Sequence, residues 1–318
     1  MSATPRPAGW AELAEVGTLR ALRLGAWLQR RLGRRPMQAV LWVSALYFAL
    51  RRGAARRASL HYLRRLYGTP AGRAALGRRP GFPAVVRHFH AFAESLSDRI
   101  LAWGGGLGGL QLEHDGSEKL FSVARSGRGG ILLGAHLGSF DMLRLVAGKY
   151  QVVVNVLLYR ENARRINALF DSLSSENRVR IIELDPASLD AAFAIRACLG
   201  RGELVAILAD RVRPGEPGRS AEVDFLGRPA RFPLAPFLLP ALLGCPAFLA
   251  LCVRTGPRRY RTLLRPLATP RRVPRREREK HARELILRYA GLLEATCQEL
   301  PFQWFNFYDF WGEEAGPP

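Results

Sequence analysis

Apolar residues recur at two different spacings, and the change from one to the other divides the chain. Over residues 10–32, Trp10, Leu13, Val16, Leu19, Leu22, Leu24, Trp27, Leu28 and Leu32 fall at helical spacing against Arg20, Arg23, Arg30 and Arg31. Residues 37–50 follow as a mainly apolar run bracketed by Arg34, Arg35, Arg51 and Arg52. This run is shorter than the roughly 18–20 residues that cross a bilayer. With Trp42, Tyr47 and arginines on both flanks it suits a helix in or dipping into a membrane interface. The alternative is a buried helix of the globular part. A basic helix over 51–67 is broken by the Gly-Thr-Pro-Ala-Gly of 68–72, and a helix over about 82–102 lines up Phe82, Val85, Val86, Phe89, Phe92, Leu96 and Ile100.

From residue 110 the pattern becomes strand and helix in alternation. Strands are expected at 110–114, 131–133, 151–159, 179–184, 204–208, 223–226 and 247–254, with 259–267 pairing to the last of these. Helices are expected at 118–126, 161–174, 186–199, 234–243 and 275–300. Continuous apolar strands between helices predict an α/β fold with a mostly parallel central sheet flanked by helices. Three parts follow: an N-terminal helical, membrane-associating region over 1–105, an α/β domain over 106–312, and a disordered tail over 313–318. The glycine cluster 104–109 lacks the Lys-Ser/Thr of a phosphate loop and reads as a flexible turn.

The stretch 129–144, Gly-Gly-Ile-Leu-Leu-Gly-Ala-His-Leu-Gly-Ser-Phe-Asp-Met-Leu-Arg, carries the candidate chemistry. Its strand delivers His136 to a carboxyl end, where open α/β sheets place their sites. Gly138 permits a bend, and Ser139 suits the N-cap of a following helix over 139–148. Asp141, in that first turn, reaches back to one imidazole nitrogen and leaves the other as a general base for a substrate hydroxyl. There is no Gly-x-Ser-x-Gly elbow, so direct attack by the acceptor is expected in place of a covalent enzyme intermediate. Backbone N–H groups of the 139–148 helix, Arg144 and Arg160 are candidate oxyanion donors. The strand at 204–208 delivers Asp210 and Arg211 to the same edge. His88 and His90 have no acidic or thiol partner at ligand spacing and read as packing or surface residues, and no metal site is expected.

Charge alters the picture more than length does. The 318 residues carry a formal net charge of +21, almost wholly from arginine, which outnumbers lysine 45 to 3. Such a field calls for an anionic partner: phospholipid, an acidic protein, a phosphorylated substrate or nucleic acid. None of the common nucleic-acid recognition motifs occurs, and the aromatics do not interleave with arginines on a strand, so nucleic acid is not expected. Cys198, Cys245, Cys252 and Cys297 form neither a zinc pattern nor a disulfide framework, which fits a reducing cytoplasm, and Met1–Gly9 shows no apolar core of a signal peptide.

These stretches together resemble the lysophospholipid acyltransferase superfamily, in particular its bacterial lipid A secondary acyltransferases. The resemblance covers about residues 35–311 and rests on the His-x4-Asp of His136 and Asp141, Leu-Tyr-Arg-Glu-Asn at 158–162, Leu-Ala-Asp at 208–210, Phe-Leu-Gly-Arg-Pro-Ala at 225–230 and the aromatic segment 303–311. It implies a peripheral or monotopic enzyme on the cytoplasmic face of the bacterial inner membrane. Such an enzyme moves a fatty acyl group from an acyl carrier protein or coenzyme A thioester to a lipid hydroxyl, with no further cofactor. The implied partners are acyl carrier protein, an anionic membrane and the lipid acceptor. His136 maps onto the family's base and Asp141 onto its orienting acid; Arg160, Arg178 and Asp210 map onto substrate-contacting positions. Gly138, Ser139, Arg144 and Arg211 complete the candidate substrate site. Two departures are visible: the lipid A enzymes usually carry Glu where Asp141 stands, and no Phe-Pro-Glu-Gly block follows Arg231-Phe232-Pro233, which argues against a lysophosphatidic acid acceptor. An apolar tunnel for the acyl chain would be lined by Phe232, Phe237, Leu238 and Leu242. The competing readings are a non-catalytic binder of anionic membrane or nucleic acid, and an esterase or thioesterase using water through the same pair.

Overall fold

The computed structural model describes residues 34–103, 111–116, 118, 122–123, 127–139, 142, 152–159, 179–184, 190–212 and 219–312. The helices expected over 10–32, 161–174 and most of 118–126, the glycine cluster 104–109 and the tail lie outside them.

The described chain begins with four helices: α1 (Arg34–Arg51), α2 (Gly53–Gly68), α3 (Pro70–Leu76) and α4 (Phe82–Trp103). Between α2 and α3, Thr69 Oγ1 donates to Leu66 O at 2.8 Å and accepts from Gly72 N at 3.0 Å. The expected break is therefore an N-cap with Pro70 in the first turn, and the chain restarts a helix there at once. α1 settles one alternative left by its sequence. Its small residues Ala45 and Ala49 pack on Val85 and Phe89 of α4, while Val40, Trp42, Val43, Leu46, Tyr47 and Leu50 are exposed. It is not a core helix. Among the described residues no helix is long and apolar enough to cross a membrane.

Seven strands form one sheet: β1 (Gln111–Asp115), β2 (Gly130–Gly134), β3 (Val154–Tyr159), β4 (Val179–Leu184), β5 (Leu204–Leu208), β8 (Ala247–Gly256) and β9 (Arg259–Ala268), in the order β1-β9-β8-β2-β5-β3-β4. Every pairing is parallel except β8 with β9. The central strand β2 is buried throughout. Its alternation divides the core: Ile131 and Leu133 join Leu249, Leu251 and Leu293 on one face, and Leu132 joins Ala206, Phe248 and Ala250 on the other. Each of the leucine, isoleucine and phenylalanine side chains contributes about 1.5–3 kcal/mol by leaving water. Helices α5 (Asp190–Gly200), α6 (Ala235–Leu243) and α7 (Arg278–Glu299) flank the sheet, with Leu285, Ile286, Tyr289 and Leu293 of α7 in the first core face.

The strand expected at 223–226 belongs elsewhere. It is the first arm of an antiparallel hairpin, β6 (Ser220–Phe225) and β7 (Arg228–Pro233), outside the main sheet. The arms are joined by Leu226 and Gly227 at φ of 52° and 75°. Both central residues of this tight turn take the left-handed conformation that matches strand twist.

Candidate active site

β2 ends at Gly134, and the residues just beyond it are gripped from three sides. Tyr289 Oη of α7 donates to Gly134 O at 2.7 Å. Phe305 N donates to His136 O at 2.7 Å, Gly138 N donates to Gln303 O at 2.8 Å, and Ser139 N donates to Cys252 O at 2.7 Å. The strand end is thus wedged between β8 and the aromatic segment 302–311. Only glycine fits at 138, where φ is +72° and an added Cβ would stand 2.1 Å from Cys252 O.

The imidazole of His136 lies against Asp210. Nδ1 is 2.7 Å from Asp210 Oδ1, and Oδ2 accepts from His136 N at 3.0 Å, Trp304 Nε1 at 3.1 Å and Asn306 Nδ2 at 3.2 Å. Asp210 has no exposed surface. Burial alone would raise its pKa, but the charge and hydrogen bonds of His136, together with Arg211, outweigh it and hold the carboxyl below the usual carboxylate range. A carboxylate only accepts, so Nδ1 carries the proton and Nε2 is the basic nitrogen. The His136 side chain is 26% exposed, so the base keeps a face toward solvent.

A wider frame supports this pair. Arg211 Nε donates to Asn306 Oδ1 at 2.7 Å and its Nη2 to Phe305 O at 3.2 Å, with the guanidinium over the Tyr308 ring. The Trp304 carbonyl accepts from His88 Nε2 at 3.0 Å, so His88 Nδ1 is the acceptor for Ser59 Oγ at 2.9 Å. Ser59 on α2 and His88 on α4 thereby brace the segment whose indole holds Asp210. His88 is the packing residue its sequence context suggests.

Of the residues singled out from the sequence, His136, Gly138, Ser139, Asp210 and Arg211 meet at this edge. Asp141, Arg144, Arg160 and Arg178 lie outside the described residues. Of the N–H groups expected as oxyanion donors at the start of the 139–148 helix, that of Ser139 already donates to Cys252 O, and the preceding amide of Gly138 donates to Gln303 O. Ser139 does not act as a cap: its Oγ is buried with no hydrogen-bond partner among the described residues. The four residues expected to line a tunnel do not share a channel wall: Phe232 and Phe237 are core rings edge-on to Tyr289, Leu238 is partly buried against the same core, and Leu242 is exposed. Burial pushes the thiols of Cys245, Cys252 and Cys297 up, to about 12 at Cys245, so these supply no thiolate nucleophile.

Trp304 and Asn306 are the participants that sequence reasoning passed over. Their signal was present: polar Gln303 and Asn306 set within a densely aromatic segment, where a polar side chain needs a buried partner.

No curated protein matches the chain. A family model described as bacterial lipid A biosynthesis acyltransferase matches residues 109–311, which is well over half of the chain. The match runs from the strand order around β2 through Asp210 to the segment that holds it, and by it the chain belongs to the bacterial lipid A biosynthesis acyltransferase family.

Proposed function

We propose that this protein transfers a fatty acyl group from a thioester donor to a hydroxyl of a membrane lipid, with His136 as general base and Asp210 as the carboxylate that orients it. The carrying observation is the 2.7 Å contact of His136 Nδ1 with the buried, ionised Asp210 at the carboxyl end of β2. A lipid hydroxyl has a pKa far above 7, so its proton must leave as the oxygen attacks the thioester carbonyl, and a positioned base contributes about 10²–10⁴ in rate. Nε2 of His136 takes that proton. The Asp210 carboxylate stabilises the imidazolium, and the proton then passes to the departing thiolate as the tetrahedral intermediate collapses. Asp141, Arg144, Arg160 and Arg178 enter this reading only through the family resemblance: Asp141 as a second acid for His136, and the arginines as donors to the developing oxyanion or to the acidic acyl donor.

The donor is an acyl carrier protein or coenzyme A thioester, both of which suit the +21 charge. The outward apolar face of α1, flanked by Arg51 and Arg52, supports peripheral association with the anionic cytoplasmic leaflet. The test is mass spectrometry of lipids from cells with and without the protein, alongside His136→Ala. A lipid heavier by one acyl chain that vanishes in the variant is expected. An unchanged lipid profile with the wild-type protein sinks the reading.

A further inference from the structure

Resting on that acyl-transfer reading, we propose that Trp304 and Asn306 are positioning residues that moderate His136 as a base, acting through Asp210, so that Nε2 accepts a proton at neutral pH. A buried carboxylate 2.7 Å from an imidazole stabilises the protonated ring. Acting alone it would hold His136 as imidazolium, with a proton already on the nitrogen that has to take one. The side chains around Asp210 oppose this. Trp304 Nε1 at 3.1 Å and Asn306 Nδ2 at 3.2 Å both donate to Oδ2, beside the His136 backbone N–H at 3.0 Å. Each N–H draws negative charge toward itself, and that charge is lost to the contact between Oδ1 and Nδ1. Water cannot stand in for these donors, because Asp210, Trp304 and Asn306 are all buried.

Both donors are held from behind. Asn306 Oδ1 accepts from Arg211 Nε at 2.7 Å, which fixes the amide with its NH2 toward Asp210 and polarises that NH2. Arg211 thus acts on the base at one further remove. The Trp304 indole packs edge-on with Tyr62, Phe225 and Phe310, and its carbonyl accepts from His88 Nε2 at 3.0 Å. The indole N–H therefore has one fixed direction, toward Oδ2.

The other ionisable groups on the elements packed here do not supply this effect. Burial keeps Tyr289 and Cys297 of α7, Tyr308 of the aromatic segment, Cys252 of β8 and His88 of α4 in their neutral forms. Arg254 of β8, on the Gly138 side, pairs with Glu94 at 2.6 Å and Asp98 at 3.2 Å, both of α4. These groups, and Asp141 outside the described residues, are untouched by the variants that test the proposal. Any change in those variants is therefore read against a constant background of charge.

The test follows the protonation of His136 by NMR, without substrate. Full-length protein labelled with 13C at histidine Cε1 carries six such signals, and His136→Ala identifies the one from position 136. Trp304→Phe and Asn306→Leu each remove one donor from Asp210. With more charge left on the carboxylate the imidazolium is favoured, so the midpoint of the His136 titration should rise by about half a pH unit in each variant and further in the two combined. The rate should follow: kcat/KM for transfer from palmitoyl-CoA to lipid falls about threefold further at pH 6 than at pH 8.5. Phe310→Leu loosens the packing on Trp304, whose ring centroid is 4.8 Å away, and leaves every donor to Asp210 in place. It should lower the melting temperature and leave the midpoint where it is. Should Trp304→Phe fail to melt cooperatively, 3-benzothienylalanine at 304 sets sulfur in place of the N–H in the native shape. A midpoint that is unchanged or lower in the donor variants, or that moves as far in Phe310→Leu, overturns the proposal. The upward shift with no acyl transfer by the wild type to any lipid leaves the effect on His136 standing and removes the acyl-transfer reading.

Discussion

Replacing Asp210 by Asn removes one charge with almost no change in shape, and the hydrogen bonds around Asp210 dictate how the new amide sits. Oδ2 receives three N–H groups, from His136 N, Trp304 Nε1 and Asn306 Nδ2. The amide oxygen must take that place, because an NH2 there would face three donors. The NH2 is then left against His136 Nδ1, at the 2.7 Å contact Oδ1 now makes. A donor at that contact forces Nδ1 to be the lone-pair nitrogen and puts the ring proton on Nε2. The base would then present a proton where it needs a lone pair. The expected loss is the general-base contribution itself, about 10²–10⁴ in kcat. KM should change little, since Asp210 is fully buried. Raising the pH should not rescue activity, because the fault is the tautomer and not the charge state of the ring. The assay is acyl transfer from palmitoyl-CoA to lipid in mixed micelles read by mass spectrometry, with His136→Ala and Asp141→Asn alongside and a cooperative melt as the control for folding. An Asp210→Asn enzyme within tenfold of wild type would refute the reasoning, and a collapse in Asp141→Asn beside it would return the orienting part to Asp141.

Other outcomes follow from the same frame. Burial lowers the His88 pKa from 6.5 to about 3, against a smaller upward pull from the Trp304 carbonyl. The unfolded chain binds a proton there that the folded chain refuses, so this stability is complete above pH 6.5 and is lost as pH falls toward 3, with about 2 kcal/mol gone at pH 5. Urea melts at pH 7.5 and 5 should show that loss and a smaller one in His88→Gln; equal losses would contradict it. Gly138→Ala meets both a φ of +72° and Cys252 O at 2.1 Å, which should cost roughly 3 kcal/mol or more and abolish transfer. A thermal melt matching wild type would show the strand end is not so confined. The double variant Val43→Asp, Leu46→Asp on the outward face of α1 should reduce flotation with phosphatidylglycerol vesicles several-fold while the melt stays put. Unchanged flotation would remove that face as the contact.

The alternation of strands and helices after residue 110 was legible because parallel strands covered on both faces read as continuous apolar runs, as β2 and β5 do, while β3 is interrupted only by Asn155 and the edge strand β4 by Arg180 and Glu183. His136 was legible because its cues are local: an apolar run, small residues, a bend. Its contact with Asp210 was not. Asp141 stood five residues away, whereas Asp210 stands 74 residues away and meets His136 only through the sheet. The pairing of β2 with β5 sets Gly134 opposite Leu208, and His136 and Asp210 are each two residues further on. That register depends on strand order, which skips from β2 to β5 and which no local pattern states. Trp304 enters in the same way, by an antiparallel bridge to Leu137. The hairpin of β6 and β7 was half seen because Leu226, a non-glycine at positive φ, gives no turn signal, and prolines near both ends of β7 disguise a strand.

The crowding of Asp210 also bears on how the reaction must be arranged. Its two oxygens accept four N–H groups, the ring and backbone of His136, the Trp304 indole and the Asn306 amide, and burial leaves no water to replace any of them. Protonating the carboxylate would leave at least one of these donors unpaired in a buried site, at a cost of about 1–3 kcal/mol beyond the unfavourable transfer itself. Asp210 therefore stays a carboxylate throughout the proposed cycle, and the proton taken from the acceptor hydroxyl has no route inward. It remains on Nε2 until the departing thiolate removes it. The acceptor hydroxyl and the donor thioester must then both approach His136 from its Nε2 side, one giving a proton and the other taking it back.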